Sequence, residues 1–458
     1  MPTAIQSLIG HRRAPGWRRE ALRTTLWLVP TVMVVAVSAL FAVTYAVDRA
    51  AADGLLKLPS WINTDSADAA RQVLIGIAAA VITVAGVVFS ITILALTLAS
   101  QQFGPRMLRR FIQDRGTQFT LGAFVATFVY SILTLGSVSS QPASSFVPNL
   151  SIAVALVLTL GSVLILIYFI HHVAASIQLT SVVAEIARDF QTTVDELFAE
   201  AADSRARPGE TGLSVTEITV RMDHDGSIVP ATASGFLQAV GHHRLVRIAS
   251  SSAAVIRLLN RPGHFLVDGR PLAVVWPPEA APAVTRALAR AHVVGPHRTL
   301  TQDLGFAVDQ LVEVALRALS PAVNDTFTAL NCIDWLGAGL CTLSARKLPD
   351  GVYRDSRGLV RLIDPVITYE RLVKGAFDKI RQAGRAMPAV YIRQLQNLEK
   401  ILQYVADEDQ REVLVRHADM ILRASEESVP EKDDRRDVQA AYDLVVTARQ
   451  SGEDESPV

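Results

Sequence analysis

Four long apolar stretches stand in the first 172 residues: Leu26–Val47, Val73–Ala99, Phe119–Val138 and Leu150–Ile170. Each reaches the roughly 20 residues that a helix needs to cross ~30 Å of hydrocarbon at about 1.5 Å per residue. None contains Asp, Glu, Lys, Arg or His. The pattern predicts a multi-pass α-helical membrane domain over residues 1–172. The second stretch, 27 residues long, must tilt or project beyond the bilayer. The first is too long for the apolar core of a cleaved leader, and three more follow, so it reads as an anchor.

Beyond Ile170 the periodicity changes. An amphipathic helical pattern (Ile177, Val182, Ile186, Phe190, Val194, Leu197) predicts that the fourth span continues as a helix over 173–203. After the break at Ser204–Gly212, residues 213–277 read as a small β-rich domain, barrel-like or sandwich-like. Strands are expected at Leu213–Met222, Gly235–Val240, Ala254–Leu259, His264–Val267 and Leu272–Trp276, with a turn at Asp223–Gly226. Residues 278–450 read as mostly helical: Ala280–Ala291, Gly305–Leu319, then a start at Ser320-Pro321 leading into Ala322–Leu343. A hairpin at Val352–Ile363 follows, then Tyr369–Gly384, Ala389–Val405, Gln410–Ala424 and Asp437–Arg449. The acidic tail 451–458 reads as disordered. The fold class is therefore a four-span helical membrane domain followed by an α+β region.

Charge orients this picture. The chain has 44 basic and 44 acidic residues, but residues 1–172 hold 12 basic against 6 acidic and the remainder 32 against 38. Arg12, Arg13, Arg18, Arg19 and Arg23 precede the first span, and Arg106, Arg109, Arg110 and Arg115 follow the second. The loop after the first span is acidic on balance, and Ser139–Asn149 is uncharged. Positive loops stay on the cytoplasmic side, so both termini are expected inside. The bilayer is the expected partner, with no nucleic acid among the partners.

Two strings carry a resemblance. Thr92–Thr117, TILALTLASQQFGPRMLRRFIQDRGT, and Gln302–Leu336, QDLGFAVDQLVEVALRALSPAVNDTFTALNCIDWL, with Arg261–Pro277, RPGHFLVDGRPLAVVWP, resemble the bacterial predicted membrane protein family "domain of unknown function 2254". The likeness covers about residues 15–445, and ALSPAVNDTFTA is its most specific part. Gly241-His242-His243 departs from the aromatic-rich strand expected there. The resemblance implies the architecture and carries no activity, catalytic residue or cofactor.

Candidate chemistry is sparse. There is no G-x-x-x-x-G-K-[ST], H-E-x-x-H, G-x-S-x-G or strand-linked G-x-G-x-x-G, so neither enzymatic activity nor a cofactor or metal is expected. Cys332 and Cys341 read as buried thiols, nine apart on one helix and on opposite sides of it. The pairs His171-His172 and His242-His243 point apart and read as surface or interface side chains.

Three groups stand out. In span two, Gly76, Thr83, Ser90, Thr97 and Gly104 recur every seven residues, a small or hydroxyl stripe that either packs against another helix or lines an aqueous path. Arg106, Arg109 and Arg110 stand ready to meet anionic lipid heads or to draw anions to a mouth. Ser320, Asn324, Asp325 and Thr326, with Asp303, form a polar cluster that reads either as a helix cap or as a recognition site. The absence of ionisable groups within the spans disfavours ion-coupled transport. A homo-oligomeric channel-like protein with a cytoplasmic gating domain is the first expectation. A membrane-anchored sensor or scaffold is the alternative.

Overall fold

The computed structural model describes residues 27–56, 66–103, 114–141, 144–176, 179–203, 213–346 and 348–454. The chain divides into two compact units, Met1–Ser181 and Val182–Val458.

The N-terminal unit holds α1 (Leu28–Ala52), α2 (Ala67–Phe103), α3 (Arg115–Ser137) and α4 (Asn149–Ser176), with a short hairpin of β1 (Ser139–Gln141) and β2 (Ser144–Phe146) between the last two. All four helices are long and apolar enough to cross a membrane. At 37 residues, α2 is about 55 Å long, well beyond the hydrocarbon thickness. The helix α3 packs against each of the other three, which explains why its buried face (Thr120, Ala123, Thr127, Tyr130, Ser131, Thr134) is small and hydroxyl-rich. Small residues let backbones approach in a setting where apolar side chains gain nothing by leaving lipid. Outward faces of α1 and α4, including Val35, Val43, Val157 and Leu160, are apolar and exposed.

A further helix, α5 (Leu179–Asp203), follows α4 after two residues outside the described set and buries Val182, Ile186, Phe190 and Val194. The C-terminal unit then runs α6 (Val215–Asp225), β3 (Ser227–Pro230), β4 (Gly235–Val240), α7 (His242–Ser251), β5 (Val255–Leu258), β6 (Phe265–Leu266), β7 (Pro271–Trp276), α8 (Ala281–Leu288) and β8 (His292–Gly295). After these come α9 (Leu304–Ala318), α10 (Thr326–Ser344), β9 (Val352–Arg354), β10 (Val360–Ile363), α11 (Tyr369–Ala383), α12 (Pro388–Leu402), α13 (Glu408–Ser428) and α14 (Lys432–Asp454).

The strands form two open sheets, β3-β7-β5-β10-β9 and β6-β4-β8, rather than a closed barrel. Among the described residues every pairing is antiparallel except β10 on β5, where Leu362 sits opposite Ile256. Leu237 and Val240 of one sheet share a core with Ile256, Ala273, Val275 and Leu362 of the other, covered by Leu245 of α7 and Val284 of α8. The hairpin expected at Val352–Ile363 forms as β9 and β10 and joins the sheet of β3, β7 and β5, while β8, from a stretch read as helical, joins β4 and β6.

Three other expectations are corrected. Leu213–Met222 is helical: Ser214 and Glu217 form a reciprocal capping box, and Ile218 and Met222, four apart, supply the buried stripe. An alternating reading and a helical one share those apolar positions, and the cap decides between them. His242–Ser251 is likewise a helix rather than a strand entry. Ser451–Asp454 continues α14, and residues 455–458 lie outside the described residues.

Candidate functional site

Polar side chains hold the N-terminal unit at both ends. At the end where α4 begins, Asp48 is buried and accepts from the backbone N–H of Leu150 (2.8 Å) and Ser151 (3.0 Å) and from the Ser151 hydroxyl (2.7 Å). The carboxylate thus caps a helix from another chain segment, where the helix dipole favours negative charge. Thr44 Oγ1 lies 2.8 Å from Tyr130 Oη and accepts from Ser151 at 3.1 Å, which ties α1, α3 and α4 together. Lower in the unit, Thr127 and Ser162 share a hydrogen bond of 3.1 Å. At the opposite end Asp114 caps α3 through Thr117 N (2.9 Å) and meets His172 Nε2 of α4 at 2.7 Å, with Tyr168 stacked on the imidazole. His171 is exposed, so the adjacent pair does point apart.

Charge counting along the loops placed Asp48 among the loop residues and overlooked its role. The available signal was an Asp one residue past an apolar span, followed a hundred residues later by another helix start whose amides a carboxylate can meet.

The stripe of α2 faces away from its own bundle. Leu74, Ile77, Val81, Ala85 and Val88 form the buried seam, whereas Gly76, Thr83, Ser90 and Thr97 are exposed. Two residues along a helix turn about 200°, so each of Gly76, Thr83 and Ser90 lies behind the buried residue two positions earlier. The hydroxyls of Thr83, Ser90 and Thr97 donate to the carbonyls of Ala79, Gly86 and Ile93 on their own helix. Space around Gly76 and Gly86 is open. Packing within the protomer therefore does not explain the stripe. Gly104, Arg106, Arg109 and Arg110 lie outside the described residues.

In the C-terminal unit the polar cluster separates. Asp303 caps α9 at its start, while Ser320, Asn324, Asp325 and Thr326 follow its end, about 23 Å further along the axis of this 15-residue helix. Ser320 does not start a helix: its hydroxyl donates to Arg317 O, and residues 320–324 form a turn that ends with Asn324 at φ +50°. The next helix begins at Thr326, with Asp325 accepting from Thr328 N (3.1 Å) and Thr328 Oγ1 (2.6 Å). Asp325 therefore serves as a helix cap. Asp303 belongs to a different group, an ion pair with Arg298 described below.

Cys332 is fully buried in α10, and burial pushes its thiol up to about 12. Cys341 is only half-buried, in contrast to the expectation of two buried thiols. His242 is buried against Asp364 (Nε2 to Oδ2, 2.7 Å) under the ring of Tyr353, whereas the sequence placed it at a surface or interface. Among the described residues no group of three His, Cys, Asp or Glu side chains is placed to hold a metal ion.

Comparison with known proteins agrees with this architecture. Residues 23–400 match the family described as "Predicted membrane protein (DUF2254)". An uncharacterized protein of Mycobacterium tuberculosis strain H37Rv and one of Mycobacterium bovis are each 33% identical over 373 residues, covering 80% of this chain and 70% of theirs. No solved structure matches the chain.

Proposed function

The chain belongs to this family of predicted membrane proteins, and from that premise we propose that it is a homo-oligomeric, channel-like protein of the bacterial inner membrane. In this reading the exposed stripe of α2 faces the axis of the oligomer and the C-terminal unit gates it from the cytoplasm. Both termini are cytoplasmic, as the arginine-rich segments favour. One observation carries the reading: Gly76, Thr83, Ser90 and Thr97 point away from the protomer's own core. Four spans in one chain enclose no lumen, so a pore needs several copies around an axis. The face is mixed, since Val87 and Leu94 are exposed beside these small and hydroxyl-bearing positions, and it is the small and hydroxyl groups that suit an axis. The arginines Arg106, Arg109 and Arg110 then meet anionic lipid heads or line the cytoplasmic mouth. No step of this reading requires an enzyme activity.

A second reading is a membrane-anchored sensor or scaffold in which the same stripe is only a pairing seam. It is favoured by the back-bonding of the three hydroxyls, which leaves them satisfied without water. Cysteine chemistry separates the two. Cys332, buried and with a high thiol pKa, is inert, so Cys341→Ala supplies a quiet background. Ser90→Cys in a membrane-inserted oligomer is expected to cross-link between copies and to react with a charged, water-borne thiol reagent. Cross-linking without that reaction supports the seam, and neither result places α2 against lipid and contradicts both readings.

A further inference from the structure

Three segments of the C-terminal unit meet at the start of α9. The turn Arg261–His264 rests on Asp303: a Cβ at Gly263 (φ +92°) would overlap the Asp303 carboxylate, so glycine is what permits the approach. Asp303, 1% exposed, is already fully engaged. Arg298 grips it bidentately (Nε to Oδ2 2.8 Å, Nη2 to Oδ1 3.0 Å), and Phe306 N donates to Oδ1 at 3.0 Å. The same guanidinium holds Asp309 through Nη1 at 2.7 Å. A Cβ at Gly305 would lie 3.1 Å from Ile367 and 3.7 Å from Arg298 Nη2. That contact brings in the start of α11, whose first turn carries Arg371.

Two cations are left over. Among the described residues, neither Arg261 nor Arg371 has a carboxylate within ion-pair distance, because Arg298 occupies both Asp303 and Asp309. Glu370, adjacent to Arg371, is bonded to Arg416 instead. Arg261 is half-buried. Burial first, and then the charges of Arg371 and Arg298 against the opposing pull of Asp303 and Asp309, hold its pKa below the usual value. It stays charged, since guanidinium begins far above neutrality. His264, on the same turn, is pushed down by burial first, then by Arg261 and Arg371, and by Arg298 against Asp303. It is therefore neutral at pH 7 and bears a ring N–H to donate.

We propose that Arg261, His264 and Arg371 form a binding site for a doubly charged oxyanion, the phosphate of a phosphorylated metabolite or of a lipid headgroup. Arg261 and His264 are half-buried while Arg371 is exposed, and the like charges of the two arginines repel until an anion joins them. The guanidinium fork matches phosphate oxygens bidentately. The site goes beyond the channel reading and stands or falls independently of it. It would give the soluble unit something to sense.

The test uses the full chain and inorganic phosphate, titrated by calorimetry in a detergent free of phospholipid. Wild type is expected to bind. Arg261→Gln and Arg371→Gln are each expected to weaken binding about tenfold or more, as loss of a charged hydrogen bond implies, with unchanged melting temperature. The titration is then repeated in nanodiscs of phosphatidylcholine with and without phosphatidic acid. Suppression by phosphatidic acid in wild type assigns the phosphate to a headgroup, and an unaffected titration assigns it to a soluble metabolite. Sulfate, whose charge is constant over the range, gives a separate readout. An anion raises the pKa of His264, so sulfate affinity should rise as pH falls toward the depressed value of the free site and become flat in His264→Gln. Absence of phosphate binding by folded wild type overturns the site. So does wild-type affinity in the folded Arg261→Gln, Arg371→Gln double variant.

Discussion

Replacing Asp48 tests whether the polar lock at the end of α4 holds the N-terminal unit together. Asp48 is 3% exposed and accepts three hydrogen bonds, two from backbone amides in the first turn of α4. In Asp48→Ala all three donors lose this acceptor, with the Ser151 amide and hydroxyl buried and the Leu150 amide partly so. A hydrogen bond to a charged group contributes about 1.5–3 kcal/mol, and an orphaned buried donor costs about 1–3 kcal/mol. The three share one carboxylate and are not additive, and Ser151 keeps Thr44 as a second partner. A loss of about 3–5 kcal/mol follows, the range seen when one partner of a buried charged group is removed. Asp48→Asn retains one acceptor oxygen and should cost about 1–2 kcal/mol. Asp53→Ala, exposed at the end of the same helix, should change stability by less than about 0.5 kcal/mol. The assay is reversible unfolding in mixed micelles, following helicity against denaturing detergent. If Asp48→Ala costs under about 1 kcal/mol, or no more than Asp48→Asn, the carboxylate is not the lock and the argument fails.

Other consequences concern the C-terminal unit and α2. Gly339→Ala drives a methyl into the ring of Phe190, itself 1% exposed, and should cost about 1–3 kcal/mol in thermal unfolding, whereas Gly76→Ala meets open space and should leave the protomer's stability unchanged. Asp325→Ala removes a helix cap and should destabilise by about 1 kcal/mol without altering phosphate binding, which separates capping from recognition. His417 has its pKa depressed by burial first, with Arg416 and Arg381 adding to the effect against Val413 O and Asp378. The unfolded chain therefore takes up a proton that the folded chain resists, and stability falls as pH drops through 6.5 toward the folded value. Denaturation midpoints between pH 8 and 5 should show that slope, and His417→Gln should lessen it, His264 and His292 keeping their own share.

Hydropathy made the four apolar helices legible because a membrane imposes a length and a near-uniform apolar content on each span. The later helices were also legible, since α11 to α14 carry apolar positions three and four apart. Where local pattern was ambiguous it misled. In α6 the capping box of Ser214 and Glu217 outweighed an apparent alternation, and α7 follows a strand without any apolar run to announce it. Sheet membership was hidden for a different reason: β10 joins β5 across about a hundred residues, and no local signal encodes a partner that distant. The site shows the same division. The spacing of Gly76, Thr83, Ser90 and Thr97 exposed a stripe, but only the burial of Leu74, Val81 and Val88 revealed which way it faces. Asp303 was grouped with Asp325 because both lie in one motif-rich stretch, yet a whole helix separates them. Arg261 and Arg371, which the fold brings to one place, are over a hundred positions apart in the chain.

The most direct measurement is ion and small-solute flux through liposomes carrying purified wild type, Ser90→Leu or Val157→Leu, beside empty vesicles. Val157 is an exposed apolar residue of α4 and serves as the control. The account predicts flux for wild type and Val157→Leu, and its loss in Ser90→Leu while the oligomer stays intact. Equal flux from an intact Ser90→Leu oligomer, or none from wild type, contradicts it.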